Sequence, residues 1–215
     1  MLLFLDSANL TEIRTALAWG VLAGVTTNPT LVAREGRRDF ENFVRELSAL
    51  VPGPVNAEVT AGDADGMVRQ GRELAALGAN VVVKLPCTWE GLAACRRLAE
   101  AGVPTNVTLV FSVNQGLLAA RAGAAYVSPF VGRLDDAGHD GLQLVRDLVR
   151  LYNQHGIATK VLAASLRHPR HVTEAALAGA HIGTMPFDTL RQLVRHPLTD
   201  AGLERFMADW RQLNS

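Results

Sequence analysis

Along the chain, short apolar runs alternate with longer stretches in which apolar positions fall three and four residues apart. The clearest run is Asn80-Val81-Val82-Val83-Lys84-Leu85-Pro86, which is β-branched and ends in a lysine. An uninterrupted apolar run of this kind predicts a strand buried on both faces, as in a parallel sheet. Eight strands are predicted: Leu2–Asp6, Leu22–Thr26, Pro54–Val59, Asn80–Leu85, Pro104–Leu109, Ala125–Pro129, Thr159–Ala163 and His181–Met185. Between them the helical period is plain. Phe40, Phe43, Val44 and Leu47 fall at i, i+3, i+4 and i+7, and Leu142, Leu144, Val145, Leu148, Val149 and Tyr152 do much the same. Asp63, Thr88 and Ser112 stand where N-caps belong.

A glycine mark repeats with the units. Trp19-Gly20, Leu77-Gly78, Ala101-Gly102, Ala122-Gly123, His155-Gly156 and Ala178-Gly179, with Pro52-Gly53 as a looser case, each close a helical stretch before a strand. Successive marks are 21 to 33 residues apart, the length of one helix and one strand. Eight such units close most simply into a (β/α)8 TIM barrel. An open doubly wound sheet is the alternative, but no GxGxxG follows any strand. Nothing divides the chain, so residues 1–215 read as one barrel domain. The tail is extra. Leu203, Phe206, Met207 and Trp210 form an apolar stripe on a last helix over 199–213. Such a stripe packs on its own barrel or on a neighbouring subunit, and the residues alone favour its own barrel.

Composition narrows the class. Hydrophobic residues make up 48% and charged residues 20%, ordinary for a soluble globular protein. Lys+Arg and Asp+Glu are both 21, so no basic excess recruits nucleic acid or an anionic membrane. The opening Met1-Leu2-Leu3-Phe4-Leu5 stops at Asp6 and has no basic leader, which predicts neither a signal peptide nor a span. Two cysteines, Cys87 and Cys95, make no disulfide framework and point to a reducing, cytoplasmic compartment. The histidines His139, His155, His168, His171, His181 and His196 read as surface residues, and no metal is assigned.

A barrel carries its chemistry where the strands end. There the sequence places Asp6, Asn28, Glu58, Lys84, Asn106, Thr108, Phe130, Arg133, Ser165 and Arg167. Lys84 is one of only two lysines, and Lys160 starts a strand instead of ending one. Burial disfavours an ammonium, and an amine with a free lone pair attacks carbonyls to form a Schiff base. Against this stands a strand-end lysine that snorkels to solvent. Each of the other residues also has a plain structural reading: Asp6 as a helix cap, Asn28 before Pro29 as turn chemistry, Thr108 as a β-former, the arginines as solvated charges. Asn106 and Thr108 share one strand face. Glu58 is harder to set aside, because a buried carboxylate without a partner is costly. Taken together the set suits an aldol reaction. Glu58 and Thr108 assist the carbinolamine through a water, and Asp6 takes the proton as the C–C bond breaks. Asn28 and Asn106 meet sugar hydroxyls. Two arginines and a serine suit a phosphate. Neither a metal nor an organic cofactor is called for.

These residues lie in segments that resemble the transaldolase family, in particular its short branch, which also contains fructose-6-phosphate aldolase. The segments are Phe4-Leu5-Asp6-Ser7-Ala8, Gly24-Val25-Thr26-Thr27-Asn28-Pro29-Thr30, Val82-Val83-Lys84-Leu85-Pro86, Thr105-Asn106-Val107-Thr108-Leu109-Val110-Phe111-Ser112, Gln115-Gly116, Ser128-Pro129-Phe130-Val131-Gly132-Arg133 and Ala163-Ala164-Ser165-Leu166-Arg167. The resemblance implies a Schiff base at Lys84, Asp6 as acid/base, and Glu58 with Thr108 around the catalytic water. It implies substrate contacts at Asn28, Asn106 and Ser165, and a phosphate held by Arg133 and Arg167. Glu58, Phe130 and Asn106 look like the transaldolase side of the branch, where the aldolases have glutamine, tyrosine and no matching asparagine. The implied reaction moves a dihydroxyacetone unit from sedoheptulose 7-phosphate or fructose 6-phosphate to glyceraldehyde 3-phosphate or erythrose 4-phosphate, within the pentose phosphate pathway. The branch also implies a C-terminal helix packed on a neighbouring subunit, in pentamers that pair into decamers. An aldolase releasing free dihydroxyacetone, and a sugar-phosphate-binding protein without turnover, are the competing functions.

Overall fold

The structure, a computed structural model, describes residues 1–37 and 39–213. The eight expected strands form: β1 Leu2–Asp6, β2 Leu22–Thr26, β3 Val55–Glu58, β4 Val81–Pro86, β5 Thr105–Val110, β6 Tyr126–Pro129, β7 Lys160–Ala163 and β8 Ile182–Met185. They pair in chain order, all parallel, and β1 closes on β8, so the sheet is a barrel and not an open sheet. The helices are α1 Leu10–Ala18, α2 Pro29–Arg34, α3 Phe40–Leu50, α4 Ala64–Ala75, α5 Trp89–Glu100, α6 Val113–Arg121, α7 Val131–Asp136, α8 Gly141–Gln154, α9 Pro169–Leu177, α10 Phe187–Gln192 and α11 Pro197–Leu213.

Alternation along each strand sorts the barrel into two zones. Leu5, Val25, Val55, Val83, Leu85, Val107, Val127 and Val161 are buried outward against the helices. The odd residues of β4 therefore pack outside, and Lys84 faces the lumen. A small apolar plug of Phe4, Leu162, Ala164 and Ile182 fills part of that lumen. Phe4 lies so close to β2 that a Cβ on Gly24 would come 2.5 Å from its ring.

Local signals acted as expected in most places. Asp63, Thr88 and Ser112 cap α4, α5 and α6 through hydrogen bonds to backbone N–H groups. Five of the six helix-closing glycines have positive φ: Gly20, Gly102, Gly123, Gly156 and Gly179. Gly78 does not; a Cβ there would sit 1.7 Å from Ser48 Oγ, so crowding, not left-handed backbone, explains it. The tail corrects one expectation: α11 buries none of its residues, and Leu203, Phe206, Met207 and Trp210 are 53 to 70% exposed, so it does not cap its own barrel. His171 corrects another, since it is buried beneath α7 and not on the surface. No helix among the described residues is long and apolar enough to cross a membrane.

Candidate active site

Lys84 lies in the barrel lumen, 5% exposed. Strand register places Glu58 directly beside it on β3. The ammonium meets Glu58 Oε2 at 3.1 Å and donates to the Thr27 carbonyl at 3.2 Å. Two charges that are each costly alone thus offset one another. These two contacts use two of the three donors on Nζ. Lys84 lines that cavity, while Glu58 lines a separate cleft beneath Phe40, Gln70 and Leu74. The ion pair therefore stands between two hollows.

Asp6 ends β1 and lines the same cavity as Lys84. Thr26 Oγ1 donates to Asp6 Oδ1 at 2.7 Å, and Thr184 Oγ1 lies 2.7 Å from Thr26 Oγ1. Thr26 has one proton, which goes to the carboxylate, so Thr184 donates to Thr26. Burial raises the Asp6 carboxyl above its ordinary value, against the opposing pull of Lys84 and the Thr26 bond. It is not the cap of the following helix; Asn9 caps α1.

Asn106 is fully buried beside Lys84 in register. Its Nδ2 donates to Asn56 Oδ1 and its Oδ1 accepts from Ser128 Oγ, both at 2.8 Å. It is not among the cavity-lining residues, and one amide N–H is left over. Two residues along, Thr108 Oγ1 is buried with no hydrogen-bond partner. It precedes Leu109, a non-glycine residue at φ 58, where β5 slips register against β6. A buried orphan hydroxyl is rare and suits a site that receives a water or a ligand oxygen.

The rim is built from loops after β2, β6 and β7. Asn28 serves both readings open in the sequence: its Oδ1 caps α2 by accepting from Leu31 N at 3.0 Å, and the residue lines the cavity. Phe130, Arg133 and Ser165 also line it. The Arg133 guanidinium lies over the Phe130 ring, 4.9 Å from its centroid, and Phe111 packs edge-on at 5.8 Å. Ser165 has a left-handed backbone, φ 58, and its carbonyl accepts from Gly132 N at 3.1 Å. Arg167 does not line the cavity. Its guanidinium is paired with Asp136.

Thus Asp6, Asn28, Lys84, Phe130, Arg133 and Ser165 share one cavity, while Glu58, Thr108 and Asn106 lie beside it in the sheet and Arg167 lies outside. Sequence reasoning assigned no role to Thr26, Asn56, Ser128 or Thr184. Three of these sit two residues before a chosen one, on the same face: Thr26 before Asn28, Asn56 before Glu58, Ser128 before Phe130. That period was the available signal. Thr184 had no such neighbour.

The chain matches the family described as Transaldolase/Fructose-6-phosphate aldolase over residues 3–215. A "probable transaldolase" of Roseiflexus sp. (strain RS-1) is 62% identical, covering 98% of this chain and 97% of the relative. One from Heliobacterium modesticaldum is 60% identical, covering 98% and 97%. One from Shouchella clausii is 56% identical, covering 100% and 99%. Among solved structures, a protein of Sinorhizobium meliloti provisionally assigned as an isomerase superimposes with a TM-score of 0.64 over 91% of this chain and 54% of that one. At 13% identity it bears on the fold alone.

Proposed function

The chain belongs to the transaldolase/fructose-6-phosphate aldolase family, and we propose that within it the protein is a transaldolase working through a Schiff base at Lys84. The observation that carries this is the placement of the Lys84 amine: buried, lining the cavity, with a carboxylate at 3.1 Å to take its proton and Asp6 in the same cavity.

In this reading a ketose phosphate enters with its phosphate at the Arg133 and Ser165 rim. Lys84 Nζ attacks the C2 carbonyl as its proton passes to Glu58, which lies within general-base reach. The carbinolamine hydroxyl leaves as water, protonated through a water at the unpartnered Thr108 hydroxyl. Asp6 then removes the C4 hydroxyl proton. The C3–C4 electron pair moves into the iminium, an aldose phosphate leaves, and a dihydroxyacetone enamine stays on Lys84. A raised Asp6 carboxyl suits both taking and returning this proton. An acceptor aldose reverses these steps, and hydrolysis frees the lysine. Phe130 offers the enamine an apolar ring and no hydroxyl. The substrates are fructose 6-phosphate or sedoheptulose 7-phosphate as donor, and erythrose 4-phosphate or glyceraldehyde 3-phosphate as acceptor.

The test is borohydride reduction in the presence of fructose 6-phosphate, followed by peptide mass analysis. A reduced adduct on Lys84 is expected; an unmodified Lys84 peptide would sink the Schiff-base reading. Glyceraldehyde 3-phosphate release with and without erythrose 4-phosphate then separates the two family activities. Dependence on the acceptor is expected, and equal release without it means an aldolase.

The assembly is part of the same proposal. The unburied stripe of α11 supports packing on a neighbouring subunit, in a pentamer-based decamer. Two free cysteines, one of them buried, fit a cytoplasmic protein. Light scattering on the whole chain and on Phe206→Asp tests the assembly; a monomer in both would overturn it.

A further inference from the structure

Three residues suit a substrate phosphate, and two of them, Arg133 and Ser165, line the cavity. Arg167 does not, and another group occupies its fork. Arg167 Nη1 donates to Asp136 Oδ1 at 2.5 Å and Nη2 donates to Asp136 Oδ2 at 2.6 Å. These are the two parallel donors with which a guanidinium grips two oxygens of a phosphate. Asp136 thus makes the contact that a phosphate would make.

The rest of Arg167 is fixed. Its backbone N–H donates to His171 Nδ1 at 3.3 Å. Its side chain runs over Gly132, where a Cβ would lie 2.7 Å from Nε and 3.0 Å from Cδ. The pair is open to water: the Arg167 side chain is 46% and that of Asp136 59% exposed. Water screens an exposed ion pair, so even a bidentate one is open to exchange for a stronger anion. The arrangement is an anchored arm with a loosely occupied hand. Asp136 also ends the helix that carries Arg133, so competitor and second arginine move as one unit. The Arg167 contact holds the Asp136 carboxyl below its ordinary value, which keeps it anionic at neutral pH.

We propose that Asp136 is a competitor built into the phosphate site: it holds the Arg167 fork until a phosphate dianion displaces it, and so lowers affinity for phosphorylated ligands. The proposal rests on the reading of this cavity as a sugar-phosphate site. A dianion carries more charge than a carboxylate and wins the exchange; a neutral ligand gains nothing from it. Asp136 is accordingly a specificity-determining residue that acts through Arg167.

The experiment compares wild type, Asp136→Asn, Arg167→Ala, their double variant and Arg133→Ala. It measures the dissociation constant of inorganic phosphate by calorimetry, and KM and kcat for fructose 6-phosphate. Asp136→Asn is expected to tighten inorganic phosphate and lower the fructose 6-phosphate KM by about three- to five-fold, the size expected from a screened, exposed pair. Arg167→Ala weakens both, and in that background Asp136→Asn changes nothing. Unchanged or weaker phosphate binding in Asp136→Asn overturns the proposal, because Asp136 would then only position Arg167. A gain that survives in the double variant also overturns it. If neither Arg133→Ala nor Arg167→Ala alters phosphate binding, the sugar-phosphate reading fails first, and that result differs from both of the others.

Discussion

Lys84 and Glu58 are register partners on adjacent parallel strands, and their charged atoms meet at 3.1 Å inside the barrel. The two are unequally buried: the Lys84 side chain is 6% exposed and that of Glu58 is 15%, on its own cleft. Removing one partner of a buried pair strands the other. Glu58→Met strands the more buried charge and is expected to cost about 3 kcal/mol. Lys84→Met costs less, because Glu58 retains access to water, and the double variant recovers most of the loss. Urea unfolding of the three variants decides it; equal single losses with no recovery would mean that the contact is incidental.

Asp6 shows function set against stability. Its carboxyl is raised in the fold, chiefly by burial. The native state then holds the proton more tightly than the unfolded chain. Stability therefore falls as pH rises from the unfolded value toward the folded one. Asp6→Asn is expected to raise Tm at neutral pH and lower turnover about 10²- to 10⁴-fold, the range for a lost general acid/base. Thr26→Val removes the hydroxyl that favours the carboxylate, so the acid limb of the rate profile moves to higher pH. A lower Tm for Asp6→Asn would show that its attraction to Lys84 outweighs its burial.

The barrel was legible because two patterns agreed, the apolar runs and the helix-closing glycines, and every strand end fell within one residue of expectation. The cavity residues were legible because a barrel collects strand ends. Three things were not. Arg167 carries no mark in the sequence of its partner 31 residues earlier, and ion pairing across loops has no period. His171 falls on the buried face of α9, but the choice between surface and support depended on Asp135, on another helix. The α11 stripe follows a helical period on any helix; periodicity states which face is apolar and not what covers it.

His171 gives the fold a weak point on the acid side. Its Nδ1 accepts from Arg167 N and its Nε2 lies 2.9 Å from Asp135 Oδ2, a pattern that assigns the proton to Nε2. The ring packs on His168, with centroids 3.7 Å apart. Burial first, and then His168, push its pKa below the ordinary 6.5, while Asp135 and Glu174 oppose them. The unfolded chain binds the extra proton more readily, so stability is complete above about 6.5 and is lost as pH falls through that value toward the folded one. Protonation of Nδ1 would also break the hydrogen bond that anchors Arg167. Unfolding free energies from pH 7.5 to 5 should fall more steeply for wild type than for His171→Gln, and parallel curves would remove His171 as the cause.

Thr108 separates catalysis from stability most cleanly. Its hydroxyl is buried and has no hydrogen-bond partner among the described residues. Valine has nearly the same shape, and replacing an unpaired buried hydroxyl with a methyl is neutral or stabilising, by about 1 kcal/mol. A turnover role predicts the opposite sign for activity: kcat should fall about 10²-fold as the carbinolamine steps lose their positioned water. Reduction with borohydride should then trap less Lys84 adduct early in the reaction, because iminium formation slows. Thr108→Val that unfolds at lower denaturant than wild type would mean that the hydroxyl holds a structural water. Unchanged kcat with unchanged stability would leave Glu58 as the whole of the acid/base assistance to Lys84.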